Sequence, residues 1–224
     1  MLIPAFASLI FVSGAGPTDF EIRTTADAPQ AAEIQAVGAD GAINLASGKT
    51  VPAGQWYSLR RSPGILPAWP RGPHVELGIG DKVAGTVASA DGDAIRLQVS
   101  FPGRPAQPLR FPLSAVRVAW LTSRPESDDP DWLAGPRKRD VIRSRDGDVA
   151  RGALTGIDAA HNMLRYNADG KDHALDLSKV AAVAFNTDLA RVRRPKGPYY
   201  RLTLADGTRL SATTVTFDGN SWSV

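Results

Sequence analysis

Three histidines and two small groups of aspartates hold most of the chemistry this 224-residue sequence could offer. His74 falls in a proline-rich stretch, His161 in a turn, and His173 beside Asp172 in a hairpin. All three read as solvent-exposed, because a histidine metal site needs several ligands converging at a spacing such as i, i+4, and none recurs here. Asp91 and Asp93 in "ADGDA", and Asp128, Asp129 and Asp131 in "SDDPDW", carry the oxygens a hard cation takes. Neither group follows the spaced loop that wraps calcium. Cysteine is missing altogether, which removes disulfides, thiolate nucleophiles and cysteine-held metals. No serine stands in a nucleophile-elbow context, and no glycine-rich phosphate loop joins a strand to a helix. The expectation is therefore a protein without metal or cofactor that is not an enzyme. A hydrolase reading would need two carboxylates held about 5–10 Å apart in a cleft.

The elements that could position such groups are short strands. Hydrophobic residues make up 43% and charged residues 22%, close to globular averages, and 21 glycines with 17 prolines exceed the roughly 12% share typical of proteins. Such a composition gives many turns and few helices. The formal charge is +3, too small an excess to form a nucleic-acid footprint unless it is concentrated locally. The runs "RKR" and "RRPK" read first as solvated linkers, and secondly as contacts for an acidic surface, polymer or headgroup.

Internal repetition organises the chain. "GDKVAGTVASADGDAIRLQV" from Gly80 repeats as "GDVARGALTGIDAAHNMLRY" from Gly147. Asp81 falls on Asp148, Gly85 on Gly152, Asp91 on Asp158 and Leu97 on Leu164, a constant offset of 67 residues. The closing phrases "RFPLSAVRVAWLT" and "ALDLSKVAAVAFNT" match Leu113-Ser114 with Leu177-Ser178. A third, partial copy begins at Leu202, with Asp206-Gly207 and Asp218 answering Asp146-Gly147 and Asp158. Phe20 to Arg61 has the same character around Asp40-Gly41 but does not align.

Each copy reads as hairpins. Asp-Gly supplies positive φ for a tight turn, and aliphatic and β-branched residues flank it. Gly85 and Gly152, inside strands, mark points where a sheet bends sharply or another backbone comes close. The fold expected is all-β: tandem small five-stranded barrels with proline-rich linkers at 60–73, 123–139 and 191–198, the last unit incomplete. Its parts are an N-terminal β unit at 19–61, barrels at 74–122 and 139–188, and a partial unit at 199–224. Trp69, Trp120 and Trp132 are expected to pin linkers to the barrels. An incomplete barrel exposes a strand edge, to be covered by the preceding barrel or completed by another chain.

The first residues, "MLIPAFASLIFVSGAG", are apolar to Val12 and then small, as in a signal peptide spanning 1–15 with cleavage after Ala15, although no Lys or Arg precedes the apolar run. This points to export to the periplasm or cell envelope. The run is shorter than the ~20 residues a bilayer span needs, so no transmembrane segment is expected.

Two resemblances sharpen the fold. "GALTGIDAAHNMLRY", with Gly152, Leu154, Gly156, Asp158 and Asn162, resembles the first motif of Sm-like proteins over about fifteen residues, which implies an Sm-like or SH3-like barrel. In that family the matching positions lie beside an RNA base, so the resemblance implies Asp158, His161 and Asn162 as ligand-binding residues. The family's second motif, an Arg-Gly pair, is missing from "HALDLSKVAAVAF", and the position of Asn162 is Ile95 in the sister copy. Without that arginine a loop carboxylate repels phosphate, and aromatics that would stack bases are missing from both loops. More loosely, "YSLRR", "GDKVAG", "RKRDVIRSRDGD", "VAAVAFNTDLA" and "LADGTRLS" resemble the front portion of uncharacterised secreted proteins of planctomycete-type bacteria. Those relatives often continue through a complete last barrel into a carbohydrate-binding module. The likeness here reaches Val224 before either, and implies no sugar-binding residue.

The function expected is an exported, non-enzymatic scaffold or adaptor that binds a protein partner or a cell-surface polymer through barrel loops and edges, with self-association through the last unit as one route. Nucleic acid is disfavoured as a partner. The alternative is an Sm-like, cytoplasmic single-stranded RNA binder. Amino-terminal sequencing of the natural protein should find Gly16 first, in the envelope fraction. An intact Met1 in the cytosol would overturn export.

Overall fold

A computed structural model describes residues 20–61, 66–100, 106–124, 130–191, 196–197 and 199–224, with the backbone of Phe11 and Val12. The expected signal segment and cleavage point lie outside these residues, apart from that dipeptide; so do Asp128 and Asp129. The all-β class is as expected. Among the described residues helical structure is limited to three-residue 3₁₀ turns, and no helix is long and apolar enough to cross a membrane.

The chain begins with β1 (Phe11–Val12), β2 (Phe20–Thr24), β3 (Gln30–Ala32), β4 (Ile34–Val37), β5 (Ile43–Leu45), β6 (Thr50–Val51) and β7 (Trp56–Arg61). The first repeat holds β8 (His74–Leu77), β9 (Lys82–Ala84), β10 (Thr86–Ala90), β11 (Ala94–Val99), β12 (Gln107–Pro112) and β13 (Val116–Trp120). The second holds β14 (Asp140–Ser144), β15 (Val149–Asp158), β16 (Met163–Ala168), β17 (Lys171–Asp176) and β18 (Val180–Ala184). The chain ends with β19 (Tyr200–Thr203), β20 (Arg209–Ala212), β21 (Thr216–Phe217) and β22 (Ser221–Ser223).

The repeats share one topology. In the second, β18 pairs with β14, β14 with β15, β15 with β16 and β16 with β17. The first runs the same way, from β13 through β8, β9, β10 and β11 to β12, with its second strand broken at Gly85. Residues 20–61, which do not align by sequence, repeat the order a third time: β7, β2, β3, then β4, β5, β6. One 3₁₀ turn precedes each closing strand, at Ala53–Gln55, Leu113–Ala115 and Leu177–Lys179.

The sheets are open: none closes on itself. The two central repeats, with β19 and β20 of the last unit, form a single thirteen-stranded sheet. They meet along two lines. β13 pairs with β18 through Ala119 and Val183, and β10 with β15 through Ala90 and Ile157. By the sequence offsets these are equivalent positions, so each line is a strand meeting its own copy about a local two-fold, as at an isologous dimer interface. One core spans both repeats, from Val75, Ile95 and Leu97 to Leu164, Val180 and Val183.

The terminal segments form the second pair. Val37, ending β4, pairs with Phe217 of β21; Phe217 stands before Asp218 as Ile157 stands before Asp158 and Ala90 before Asp91. Phe217 and Trp222 stack at 4.7 Å and join Ile22, Ile34 and Ile43 in a second core. Arg209 of β20 pairs with Lys82 of β9, and Asp81 accepts from Ser211 N and Oγ at 2.7 and 2.8 Å. Much of the last unit is thus covered within the chain.

The linkers pack. Trp132 meets Trp120 edge-on at 5.7 Å, and buried Leu133 sits beneath with Val118, Ala182 and Ala184. Arg137 ties this linker to the end of β18 by donating to the carbonyls of Leu133 and Phe185. Trp69 carries Lys82 and Arg209 over its ring at 4.5 and 3.7 Å.

Gly85 and Gly152 are glycines because a neighbouring strand crosses them. A Cβ at Gly85 would lie 2.6 Å from Gln98 O; one at Gly152, 2.5 Å from Asn167 O and 2.7 Å from Tyr166 Cδ2. β15 runs unbroken through Gly152, and its irregularity lies between Leu154 and Gly156. At Gly156 the nearest atom to an added Cβ is 3.5 Å away. Gly152→Ala should therefore destabilise the fold by about 1–3 kcal/mol in urea denaturation, as overpacking does, whereas Gly156→Ala should cost under ~0.5 kcal/mol.

Candidate functional site

The loop between β15 and β16 holds the three residues implied by the Sm-like resemblance. Asp158 ends β15 and accepts from His161 N at 3.1 Å and from His161 Nδ1 at 2.6 Å. That side-chain hydrogen bond, with the backbone one, holds the Asp158 carboxyl below its ordinary value although desolvation opposes it. Asn162 takes φ +53°, a left-handed conformation asparagine tolerates, and turns elsewhere. Its Nδ2 donates to Asp176 Oδ1 at 2.7 Å, and its Oδ1 accepts from Ser178 N at 3.1 Å. The loop thus joins Asp158 to His161, and Asn162 to the turn before β18.

The sister copies show what the aspartate does. Asp91 Oδ1 accepts from Asp93 N and Ala94 N, and Asp218 Oδ1 from Asn220 N and Ser221 N. In three copies the side chain closes its own hairpin turn, the work of an Asx turn. The contact across to the 3₁₀ turn also recurs. Leu177 N donates to Asn162 O, and Leu113 N to Asp93 O. Hydrogen bonds to Ser178 hold the Asp176 carboxyl low as well, so two carboxylates share this exposed tip. Such a tip favours a cationic or hydrogen-bonding contact over a phosphate backbone.

A second constellation is buried and escaped the sequence reading. His74 lies at the start of β8, fully buried, where exposure was expected. Its Nδ1 donates to Gly72 O at 2.7 Å, and its ring stacks on Trp120. The reason is strand alternation: His74 and Glu76 share one face of β8, and Trp120 pairs opposite His74. Glu76 is 3% exposed and accepts from Arg124 at 2.8 Å, Trp120 Nε1 at 3.2 Å, Lys82 at 3.2 Å and Arg117 at 3.4 Å, with His74 Nε2 at 3.5 Å. Burial alone would raise its pKa. The His74 hydrogen bond and the charges of Lys82 and Arg124 outweigh that and hold it down to about 2. "HVEL" signals this only through an acid inside an apolar strand, since its partners lie up to 48 residues away.

A groove of about 430 Å³ opens in the N-terminal unit between β2–β3 and β5–β6, lined by polar side chains such as Thr24, Gln30 and Lys49 and equally by apolar ones such as Ile22, Leu45 and Val51. His173 of β17 is exposed and stacks on Tyr166 at 5.1 Å. No three histidine, aspartate or glutamate side chains assemble a metal site among the described residues. The chain matches no protein-family profile, no curated protein and no solved structure.

Glu76 ties linker and strands together, so Glu76→Gln should lower stability by about 3 kcal/mol at pH 7. The sign with pH comes from its depressed pKa. The carboxylate's contribution is present above the ordinary value of 4.5 and is lost as pH falls towards about 2. Urea denaturation between pH 7 and 2.5 should therefore show a shallower acid loss in Glu76→Gln than in the parent chain. Parallel curves would refute this role.

Proposed function

We propose that the protein is a non-enzymatic, exported scaffold or adaptor, built from tandem small Sm-like barrels, that binds a partner through loops and strand edges. The observation that carries this reading is the pairing of equivalent strands at Ala119–Val183 and Ala90–Ile157. Two copies locked along two lines make a rigid platform with one shared core, and the hairpin tips and the outer strands β12 and β17 stay on its periphery. A rigid scaffold presenting loops is the usual arrangement for recognition. Asp158 and His161 bond each other and Asn162 bonds Asp176 and Ser178, so these side chains fix the shape of the tip. Export rests on the apolar start of the chain.

A cell-surface polymer is the second class of partner, with the groove of the N-terminal unit, which mixes polar and apolar groups, as a place it could enter. RNA binding through the Sm-like loop has the two depressed carboxylates against it.

Co-sedimentation of the purified chain with envelope fragments should be saturable, and lost after protease treatment of the fragments if the partner is a protein. Retention after protease would assign the polymer, and no sedimentation at all would overturn the adaptor. Titration with uridine-rich single strands at low salt should be flat. A salt-dependent affinity that drops on Asp158→Ala or Asn162→Ala would install RNA binding instead.

A further inference from the structure

Six Asp-Gly pairs punctuate the chain, beginning at Asp40, Asp91, Asp146, Asp169, Asp206 and Asp218. Asp-Gly is the dipeptide at which aspartate rearranges most readily, because glycine has no side chain to hinder its backbone nitrogen from attacking the preceding carboxyl. In a folded chain the carboxyl must also be free to swing onto that nitrogen. The six pairs differ in this freedom.

Three of them share one backbone turn. Asp40 and Asp206 belong to the outer pair of units, the N-terminal one and the last, and Asp146 to the inner pair of repeats. In each turn the glycine N–H donates three residues back: Gly41 to Gly38 O at 2.9 Å, Gly207 to Leu204 O at 3.0 Å, and Gly147 to Ser144 O at 3.3 Å. All three glycines have positive φ, and the same main-chain bond frames each turn, from Gly38 N to Ala42 O, Leu204 N to Thr208 O and Ser144 N to Asp148 O. The side chains differ. Asp40 accepts from Ala42 N at 3.0 Å and Asp206 from Thr208 N at 2.8 Å, each two residues on, as in an Asx turn. In the third turn Ser144 Oγ takes that N–H instead, accepting from Asp148 N at 2.9 Å. Gly38 and Leu204 carry no hydroxyl to compete in this way. Asp146 is exposed, and its carboxylate has no hydrogen bond or ion pair among the described residues.

The remaining three carboxylates are held. Asp91 and Asp218 each accept from two backbone N–H groups, and these bonds, foremost those from Asp93 and Ser221, keep both carboxyls below their ordinary value although desolvation opposes it. An ionised carboxylate is the poorer target for a nucleophile. Asp169 accepts from Arg139 at 2.9 Å.

We propose that Asp146 is the chain's principal site of spontaneous isoaspartate formation. Gly147 N bonds to Asp146 Cγ, and the amide proton leaves with the carboxyl hydroxyl as water, closing a five-membered imide. Water then opens the ring. Attack at Cγ returns aspartate, whereas attack at the main-chain carbonyl leaves glycine joined through Cγ, with the α-carboxyl free. One water leaves and one enters, so the mass is unchanged. The product adds a methylene to the main chain in the turn between β14 and β15, and it carries the free α-carboxylate that a repair methyltransferase acting on isoaspartate would esterify. The site is independent of the adaptor reading.

The test ages the whole chain for several weeks at neutral pH and body temperature, then maps isoaspartate with a protease that cleaves before aspartate and spares isoaspartate. Asp146 should carry about fivefold more than Asp40 or Asp206, the factor that one hydrogen bond to the carboxylate is worth. Ser144→Ala keeps the main-chain bond between residues 144 and 148, returns Asp148 N–H to Asp146, and should bring Asp146 down to the level of Asp40. In urea, with the turns gone, the six sites should react at similar rates. An even spread in the folded chain, a different leading site, or an Asp146 unchanged by Ser144→Ala would overturn the assignment. The same lead persisting in urea would also overturn it, since neighbouring residues and not the turn would then set the rate.

Discussion

The packing of closing strand against closing strand is the constraint on which the rest depends. β13 and β18 are covered on both faces: Val180 and Val183 point into the shared core, while Ala182 and Ala184 lie under Trp120 and Leu133. A strand buried twice reads as a continuous apolar run without polar alternation, as "VAAVAF" does. Small side chains at Ala182 and Ala184 leave room for a covering layer, and the linker supplies it through Trp132 and Leu133. The linker between repeats is therefore structure, and Arg137 fastens it where the second repeat ends.

The same junction explains the buried charge. β8 lies beside β13, and Glu76 there gathers Arg117 from β13, Arg124 from the linker just beyond that strand, and Lys82 from β9. An unpaired buried carboxylate would cost several kcal/mol, whereas one with this many donors fixes the strands in one register. Lys82 also reaches over Trp69, and Arg209 of β20 shares that ring, so one network runs from the inner pair towards the outer one.

Local signals in the sequence carried the class and the hairpins. Asp-Gly turns, the 67-residue offset and Gly85 with Gly152 are short-range or periodic features, and each corresponds to a turn or a close strand crossing in the structure. The loop at Asp158 was legible because its residues are consecutive; the outward turn of Asn162 to Asp176 was not, because fourteen residues separate the two. The copy at 20–61 was hidden because topology, unlike identity, leaves no trace once Ile43, Val37 and Ile22 are merely apolar. Pairing between copies was hidden for the same reason: alanine and valine at a strand junction look like alanine and valine in any core. His74 was misplaced because a proline-rich flank reads as a loop, while the strand begins immediately after Pro73.

Chain connectivity separates the two pairs energetically. The inner pair joins residues within about one repeat of each other, whereas the outer pair must bring Val37 to Phe217 across most of the chain. Loop-closure entropy grows slowly with length but must be met before such contacts return anything, so the central sheet is the natural nucleus and the outer pair assembles upon it. The outer pair also has the smaller core, built on Ile22, Ile34, Val37, Ile43, Val51 and Phe217. It draws its stability from β20 docking on β9 and from Asp81 holding Ser211, contacts made to the finished inner pair.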